Sequence, residues 1–362
     1  MNTLADTTTI VNIERMWFLG GDGADIVTGG ALDDVLDGND GADTLSGSGG
    51  TDTVNGGLGD DSISVLADEG IDIIDGGAGT DFLYLDRSGT SVALTISLAN
   101  PATQSALADG TSIVNIERMT FIGGSRADTV TGGSLADILD GGVDTVSDTL
   151  TGLAGNDVYV INTGSDNIVE AVGGGTGDMA KASVSYALGA GDNIEFLETT
   201  NAAGLTAINL TGNEIAQSIT GNAGANILSG GADALADTLI GLGGNDSYVV
   251  NSANDIIVEA VGAGTADRVK ASVSFVLTAD NDIEILSTTN AALVTAINLT
   301  GNGLAQTLYG NNGANILNGG IDALKDTLIG YAGNDTYVIN SSLDNIIEAI
   351  GSGVADRAKV SV

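Results

Sequence analysis

From Gly20 to Ser64 the chain reads GGDGADIVT, GGALDDVLD, GNDGADTLS, GSGGTDTVN, GGLGDDSIS, five nonapeptides without a break. The pair Val65-Leu66 follows, and two further units, ADEGIDIID and GGAGTDFLY, run to Tyr84. With each unit numbered 1 to 9, position 6 is Asp25, Asp34, Asp43, Asp52, Asp61, Asp72 and Asp81. Position 8 is Val27, Leu36, Leu45, Val54, Ile63, Ile74 and Leu83. Positions 7 to 9 alternate polar, apolar, polar, as in Thr44-Leu45-Ser46. That is a three-residue strand with one inward side chain. The glycines at 1, 2 and 4 permit turns with φ > 0 and expose backbone carbonyls. One such strand has too little core to fold alone, so copies must stack. Two units, 18 residues, predict one coil of a flattened parallel solenoid with its turns on alternate edges. Asp25 then lies beside Asp43, and Asp34 beside Asp52.

Three more blocks follow, each of four units with an 11-residue third unit. Block two is GGSRADTVT, GGSLADILD, GGVDTVSDTLT, GLAGNDVYV, with Asp128, Asp137, Asp148 and Asp157 at position 6. Block three is GNEIAQSIT, GNAGANILS, GGADALADTLI, GLGGNDSYV; block four is GNGLAQTLY, GNNGANILN, GGIDALKDTLI, GYAGNDTYV. There Asp237, Asp246, Asp326 and Asp335 remain, but Gln217, Asn226, Gln306 and Asn315 replace the other acids. Nineteen units in all keep an apolar residue or Tyr at position 8. Asp157, Asp246 and Asp335 are 89 residues apart, and IVNIERM occurs at Ile10–Met16 and Ile113–Met119. The chain therefore divides into a partial spacer 1–19, block one 20–84, spacer 85–122, block two 123–160, spacer 161–211, block three 212–249, spacer 250–300, block four 301–338 and a truncated spacer 339–362. Both ends fall inside these units, which predicts a segment of a longer protein.

Composition narrows the chemistry. The chain has 362 residues, no Cys and no His. Thiol and imidazole nucleophiles, Ser-His-Asp triads, disulfides and zinc sites of the usual kind are excluded. Its net charge of −38 repels nucleic acid and anionic lipid. No apolar run has the length of a membrane span. The opening MNTLADTTTIVNIERM carries neither the basic nor the apolar region of a secretory leader. Acids are 38 Asp and 10 Glu. Asp suits turns and hard-cation sites, so the imbalance opposes a helical fold. Stacked coils bring pairs of Asp carboxylates and several turn carbonyls around one point. Six to eight hard oxygens in a flexible anionic cage are what Ca²⁺ takes.

The units resemble the RTX, or hemolysin-type, calcium-binding repeats GGxGxDxUx of bacterial type I secreted proteins; GGDGADIVT, GGLGDDSIS and GGAGTDFLY stand near that consensus. The resemblance implies an all-β parallel β-roll, or β-solenoid, with β-rich spacers and several Ca²⁺ ions along its edges. It implies that the position-6 aspartates listed above are the side-chain ligands, with Gly-turn carbonyls completing the shell. It also implies export through a type I secretion apparatus to the extracellular space. The amides of blocks three and four keep an oxygen but lose the charge, which predicts weak binding there or none, with amide hydrogen-bond ladders in its place.

The other candidates read blandly. Glu14, Glu117, Glu195 and Glu284 recur in N/D-I-E, which suggests solvent-facing strand positions rather than a catalytic pair. Lys181, Arg268, Lys270, Arg357 and Lys359 suit local pairing with Asp, and Tyr159, Tyr248 and Tyr337 suit core filling. Met16-Trp17-Phe18-Leu19 is placed to cover the first coil. Function divides into two classes. One is a non-enzymatic, calcium-dependent structural or adhesive segment, or the secretion and folding tail of a larger protein, which meets a polysaccharide or cell surface. The other is a carbohydrate-active enzyme segment or its polysaccharide-binding module, similar to those of alginate epimerases.

Overall fold

A rung that buries a single side chain must take its stability from the rungs above and below. The computed structural model describes residues 14–66, 70–349 and 351–361, and among these it has strands and turns but no helix. The fold is the all-β parallel roll expected from the repeats. The strand Thr44–Ser46 pairs in parallel with Ile26–Thr28 on one side and Ser62–Val65 on the other, each in the 18-residue register. The longer units keep the same alignment. Thr129 faces Thr149 and Ile138 faces Val158, so the two extra residues loop out without shifting the strands.

The chain forms two units, Met1–Lys181 with Gly191–Ile194, and Ala182–Ala190 with Glu195–Val362. In the first, one sheet runs through Trp17–Leu19, Val35–Asp37, Thr53–Leu58, Ile73–Ala78 and Ser112–Val114. The alternate strands Ile26–Thr28, Thr44–Ser46, Ser62–Val65, Phe82–Asp86, Arg118–Ile122, Ile138–Asp140 and Val158–Ile161 follow one another in another sheet. A further sheet begins in the spacer at Thr95–Ser97 and continues through Thr129–Thr131, Thr149–Thr151 and Asn167–Val169. The short strand Ser105–Ala106 pairs antiparallel with Ser112–Val114, an exception to the parallel pattern. The second unit repeats the scheme, with Ile227–Ser229, Ser247–Val250, Arg268–Ala271, Ile285–Thr288 and Thr307–Tyr309 succeeding one another in one sheet. Spacers thus supply rungs of the roll.

The core is the column of position-8 side chains. Leu36, Leu45, Val54, Ile63, Ile74 and Leu83 are buried, and Leu139, Leu150, Leu239 and Leu328 continue the pattern. Their neighbours at positions 7 and 9 point outward, as the burial of Thr44–Ser46 shows. Tyr159, Tyr248 and Tyr337 are buried in the same column. One expectation needs correction. Trp17–Leu19 does not lie across the first coil but is itself a rung, in register with Val35–Asp37. Trp17 is 85% and Leu19 66% exposed, and only Phe18 turns inward. Ile10–Ile13 of the first IVNIERM copy lie outside the described residues; in the second copy Ile113, Ile116 and Met119 are buried.

Leu45→Ala removes the only inward side chain of its rung and should cost the calcium-loaded protein about 2–4 kcal/mol, read by urea denaturation. Thr44→Ala, on the outer face, should change stability by less than about 0.5 kcal/mol. Equal losses for the two would contradict the one-inward-residue rung.

Candidate metal centre

The Gly-rich half of each unit turns the chain between sheets, and the Asp at position 6 ends that turn just before the strand. Its two oxygens have different surroundings. Oδ1 reaches to the neighbouring rung: Asp25 N–H donates to Asp43 at 2.7 Å, Asp43 N–H to Asp61 at 2.8 Å, and Asp61 N–H to Asp81 at 2.9 Å. On the alternate edge Asp34 N–H donates to Asp52 at 2.7 Å and Asp52 N–H to Asp72 at 3.0 Å. The bond survives the longer units, with Asp128 N–H to Asp148 and Asp137 N–H to Asp157 both at 2.7 Å. In the second unit Asp237 accepts from Gln217 at 2.9 Å, Asp246 from Asn226 at 2.7 Å, Asp326 from Gln306 at 2.8 Å and Asp335 from Asn315 at 2.8 Å.

Oδ2 faces the first glycine of its own unit and the carbonyl of the next rung. A Cβ added at Gly38 would collide with Asp43 Oδ2 and with the Gly56 carbonyl oxygen. Gly29 stands in the same relation to Asp34 and Gly47, and Gly56 to Asp61 and Gly76. Position 1 is therefore glycine because oxygens converge there, beyond any need for a turn. The Oδ2 atoms of Asp43, Asp61, Asp81, Asp148, Asp157, Asp237, Asp246 and Asp335 are buried and receive no hydrogen bond. A buried carboxylate oxygen without a donor is costly. Burial pushes these carboxyls up, against the hydrogen bond each accepts, and the neighbouring carboxylates push Asp81, Asp148 and Asp157 further, to about 7; burial likewise raises Asp52 to about 6. Hard anionic oxygens, carbonyls beside them and no nitrogen or sulfur donor suit Ca²⁺.

Asp25, Asp34, Asp128 and Asp137 depart from this pattern, since the second glycine of their own unit, Gly21, Gly30, Gly124 or Gly133, donates its N–H to Oδ2. Asp72 departs from it in another way. Its Oδ2 is held by Arg87 at 3.2 Å, and Arg87 also pairs with Asp109 at 3.0 Å. Arg87 is 5% exposed, so this guanidinium supplies the positive charge at the last rung of that edge. Above Asp72 the acceptor is Thr111 Oγ1, and the carboxylate row stops.

Several carboxylates escaped the sequence reading. Glu117 and Glu284, read as solvent-facing, are half-buried and accept from Asp81 and Asp267 at 2.8 and 2.7 Å, so they continue the rows. The spacers add Asp166, Asp178, Asp255, Asp267, Asp344 and Asp356, which accept from the position-6 aspartates of the preceding rungs. Each lies two residues before an inward side chain, as in Asp166-Asn167-Ile168 and Asp267-Arg268-Val269. That Asp-x-apolar triplet was the available signal; the missing glycine pair hid it. Glu170, Glu259 and Glu348 form three further acidic groups, with Asp157 and Asp178, Asp246 and Asp267, and Asp335 and Asp356 respectively.

The amide rungs close differently. Asn226 Oδ1 accepts from Asn222 N–H at 2.8 Å, while its Nδ2 donates to the Ile208 carbonyl at 2.9 Å and to Asn222 Oδ1 at 3.0 Å. Asn315 does the same with Asn311 and Ile297. Gln217 and Gln306 pair with Asn213 and Asn302. These are not ladders of amides stacked on one another. Each amide is satisfied by its own unit's position-2 asparagine and by backbone.

A family model of the RTX calcium-binding nonapeptide repeat matches residues 17–36, 28–63, 64–87, 120–145, 147–168, 211–234, 236–257, 300–323 and 324–338, more than half of the chain. No match to a curated protein was found. Calcium is the ion these repeats bind.

With Ca²⁺ chelated, the raised carboxyl values fix a pH dependence. A carboxyl whose folded value is raised makes folding most favourable when protonated in both states, and that advantage is lost as pH rises. The window lies between the ordinary carboxyl range near 3.8 and about 7, the position of Asp81 and Asp148. In EDTA the thermal midpoint of the chain should be higher at pH 5 than at pH 8. In excess Ca²⁺ the order should reverse, because protons then compete with the ion.

Proposed function

We propose that this chain, which belongs to the RTX calcium-binding nonapeptide repeat family, is a non-enzymatic module that folds when it meets extracellular Ca²⁺ after export. It would serve as a structural or adhesive segment, or as the secretion and folding tail of a larger protein. The observation that carries this reading is the row of buried Oδ2 atoms without hydrogen-bond donors. Each rung buries one or two apolar side chains, each worth about 1.5–3 kcal/mol, against the entropy of ordering nine residues rich in glycine. Adding unpaired carboxylates along the edges makes the ion-free roll unfavourable. Bound ions remove the repulsion and join successive coils, so binding free energy becomes folding free energy. A chain unfolded where free Ca²⁺ is scarce can thread a type I secretion channel, and folding outside opposes its return. The position-6 aspartates with two acidic neighbours are assigned as ligands, Asp43 above all, since it belongs to pairs with both Asp25 and Asp61.

One observation favours a second reading, a module that binds acidic polysaccharide. A cleft of about 330 Å³ in the second unit is lined by Arg268, Lys270, Ser287, Tyr309 and Tyr331 among others. The two tyrosine rings stack with centroids 6.4 Å apart. Arg268 and Lys270 take part in none of the ion pairs among the described residues, contrary to the local pairing expected of them. Residues 89 positions earlier are Met179, Glu198, Thr220 and Leu242 in place of Arg268, Ser287, Tyr309 and Tyr331. This cluster is therefore not a by-product of the repeat. Aromatic faces beside cations suit a sugar ring bearing a carboxylate.

Titration of the EDTA-treated chain with Ca²⁺, followed by far-ultraviolet circular dichroism, should show a cooperative gain of β-structure at submillimolar to millimolar ion. Asp43→Ala should shift the midpoint upward by at least about threefold. An unchanged β-spectrum and melting point in EDTA would overturn the folding switch. For the second reading, an oligouronate should bind the calcium-loaded chain and lose about tenfold in affinity on Tyr309→Ala or Lys270→Ala. Identical binding by wild type and both variants would remove the cleft from consideration.

A further inference from the structure

The last rung of each later block carries a cluster that the nonapeptide pattern does not require. In block three one carboxylate oxygen each from Asp246, Glu259 and Asp267 lies within 4.8 Å of the others. The three residues are at most 2% exposed. Asp246 is the position-6 residue, and Asp267, on the next coil, accepts its N–H at 2.7 Å. Glu259 comes from neither motif. It follows the strand Ile256–Val258, and its Oε2 accepts the hydroxyl hydrogen of Tyr248, whose ring fills the core.

Three oxygens of this cluster receive no hydrogen bond: Asp246 Oδ2, Asp267 Oδ2 and Glu259 Oε1. They gather at the turn glycines. A Cβ at Gly241 would strike the Tyr248 hydroxyl and Asp246 Oδ2, with Glu259 Oε2 at 2.8 Å. A Cβ at Gly264 would strike Asp267 Oδ2 and the Gly244 carbonyl. Leu242, next to Gly241, is held at φ 74°, and Leu153 and Tyr331 occupy the same position at φ 78° and 70°. Bulky residues adopt that left-handed conformation only where their surroundings impose it. No basic side chain pairs with the cluster among the described residues. The three acids recur as Asp157, Glu170 and Asp178, all buried, and as Asp335, Glu348 and Asp356, where Glu348 is half-buried and Asp356 exposed; there the glutamate Oε1 accepts from Ala171 N–H at 3.0 Å and from the Ser352 hydroxyl, respectively. Tyr159 and Tyr337 donate to the glutamates there.

We propose that Asp246, Glu259 and Asp267, with their two counterparts, form a separate class of Ca²⁺ site, one per 89-residue repeat, in which the spacer glutamate adds a third carboxylate and the buried tyrosine fixes its orientation. An all-oxygen set with three carboxylates and turn carbonyls is a hard-cation site. The assignment rests on the calcium-binding reading and changes one consequence of it. Blocks three and four lost half of their position-6 acids, and their amide rungs are internally satisfied. Their calcium demand is not abolished: Asp237 and Asp326 keep one carboxylate edge in each block, and at the last rung three carboxylates meet, all buried in block three, with Glu348 half-buried and Asp356 exposed in block four. The amide-rich repeats then concentrate their dependence on Ca²⁺ at this one site each.

The test uses the full chain with Ca²⁺, and Tb³⁺ as a luminescent substitute excited through tyrosine. The probe reports this class because a tyrosine hydroxyl lies beside each cluster. The variants are Glu170→Gln/Glu259→Gln/Glu348→Gln together, the matching tyrosine-to-phenylalanine set, and Asp43→Ala. The triple Gln variant should bind three fewer Ca²⁺ per chain in equilibrium dialysis and lose most tyrosine-sensitised Tb³⁺ emission. In EDTA it should melt no lower than wild type, since it removes buried negative charge; a merely structural glutamate would lower the melting point with or without calcium. The phenylalanine set should keep the stoichiometry and weaken binding by about three- to tenfold. Asp43→Ala should reduce the stoichiometry while leaving the emission intact. Unchanged stoichiometry and emission in the triple Gln variant, beside a loss in Asp43→Ala, would overturn this proposal alone. A wild-type chain that takes up no Ca²⁺ would instead overturn the calcium reading beneath it. If the triple variant fails to fold, Glu259→Gln alone, expected to lose one ion, decides the matter.

Discussion

The roll depends on one hydrogen bond, from the backbone N–H of a position-6 residue to the side-chain oxygen of its counterpart one coil later. It sets the register, because an Asp shifted by one residue would present its carboxylate to the wrong turn. It also divides the labour of the carboxylate. One oxygen belongs to the backbone ladder, and in Asp43, Asp61, Asp81, Asp148, Asp157, Asp237, Asp246 and Asp335 the other is left buried with no donor. Rungs about 4.8 Å apart repeat this arrangement. Two carboxylates at roughly 5 Å repel by about 3 kcal/mol at an effective dielectric of 20. Burying one Leu or Ile contributes about 1.5–3 kcal/mol. The two effects are of the same size, so the packing of the core alone does not settle the acidic edges, and the proposed role of the cation is to settle them.

Two edges in this chain are settled without an added ion, and they show what the cation must do. Arg87 reaches Asp72 from fifteen residues away and ends the row with a buried guanidinium. The amide rungs solve the problem by composition. Their side chains replace the second oxygen by an NH₂ group, which in Asn226 and Asn315 donates to a carbonyl of the preceding coil and in Gln217 and Gln306 to the position-2 asparagine of the same unit. The substitution works only with a partner at position 2, and all four amide units have Asn there. Of the units with Asp at position 6, only the one ending at Ser46 has Asn at position 2, and its Asn39 donates to the Gly20 carbonyl instead. The pairing of Asn at 2 with an amide at 6 is thus a chemical unit.

The fold and most of the site could be read from the sequence because the nonapeptide puts one instruction at each position. Leu45 had to point inward and Asp43 had to meet Asp25 and Asp61 once 18 residues made a coil. The spacers carry weaker instructions. Asp166-Asn167-Ile168 and Asp344-Asn345-Ile346 hold the same acid-x-apolar step, but without glycines to announce the turn they resemble ordinary strand text. Glu117 and Glu284 were misjudged for a related reason. Recurrence does not argue against a site in a solenoid, where each copy of a residue recurs in the same environment. The Tyr248–Glu259 pair spans eleven residues and two rungs, and nothing in local spacing joins a core aromatic to a spacer acid. Trp17 misled because large apolar residues ordinarily cover cores, while this three-residue strand turns only its middle side chain inward, and Phe18 holds that position.

These solutions divide the chain by chemistry more sharply than by sequence block. In the first unit most rungs offer a carboxylate to each neighbour, so nearly every coil adds to the charge that an ion must neutralise. In the second unit the amide rungs are closed by their own hydrogen bonds, and the acids collect where block meets spacer. On the proposed folding switch, a distributed requirement would make folding cooperative in the ion, since each Asp is shared by two coils and the first site formed would organise the next. A concentrated requirement would make each 89-residue repeat respond more nearly on its own, because amide rungs stand between one acidic cluster and the next. The placement of carboxylates would thus give the first unit a collective response and the second a more stepwise one.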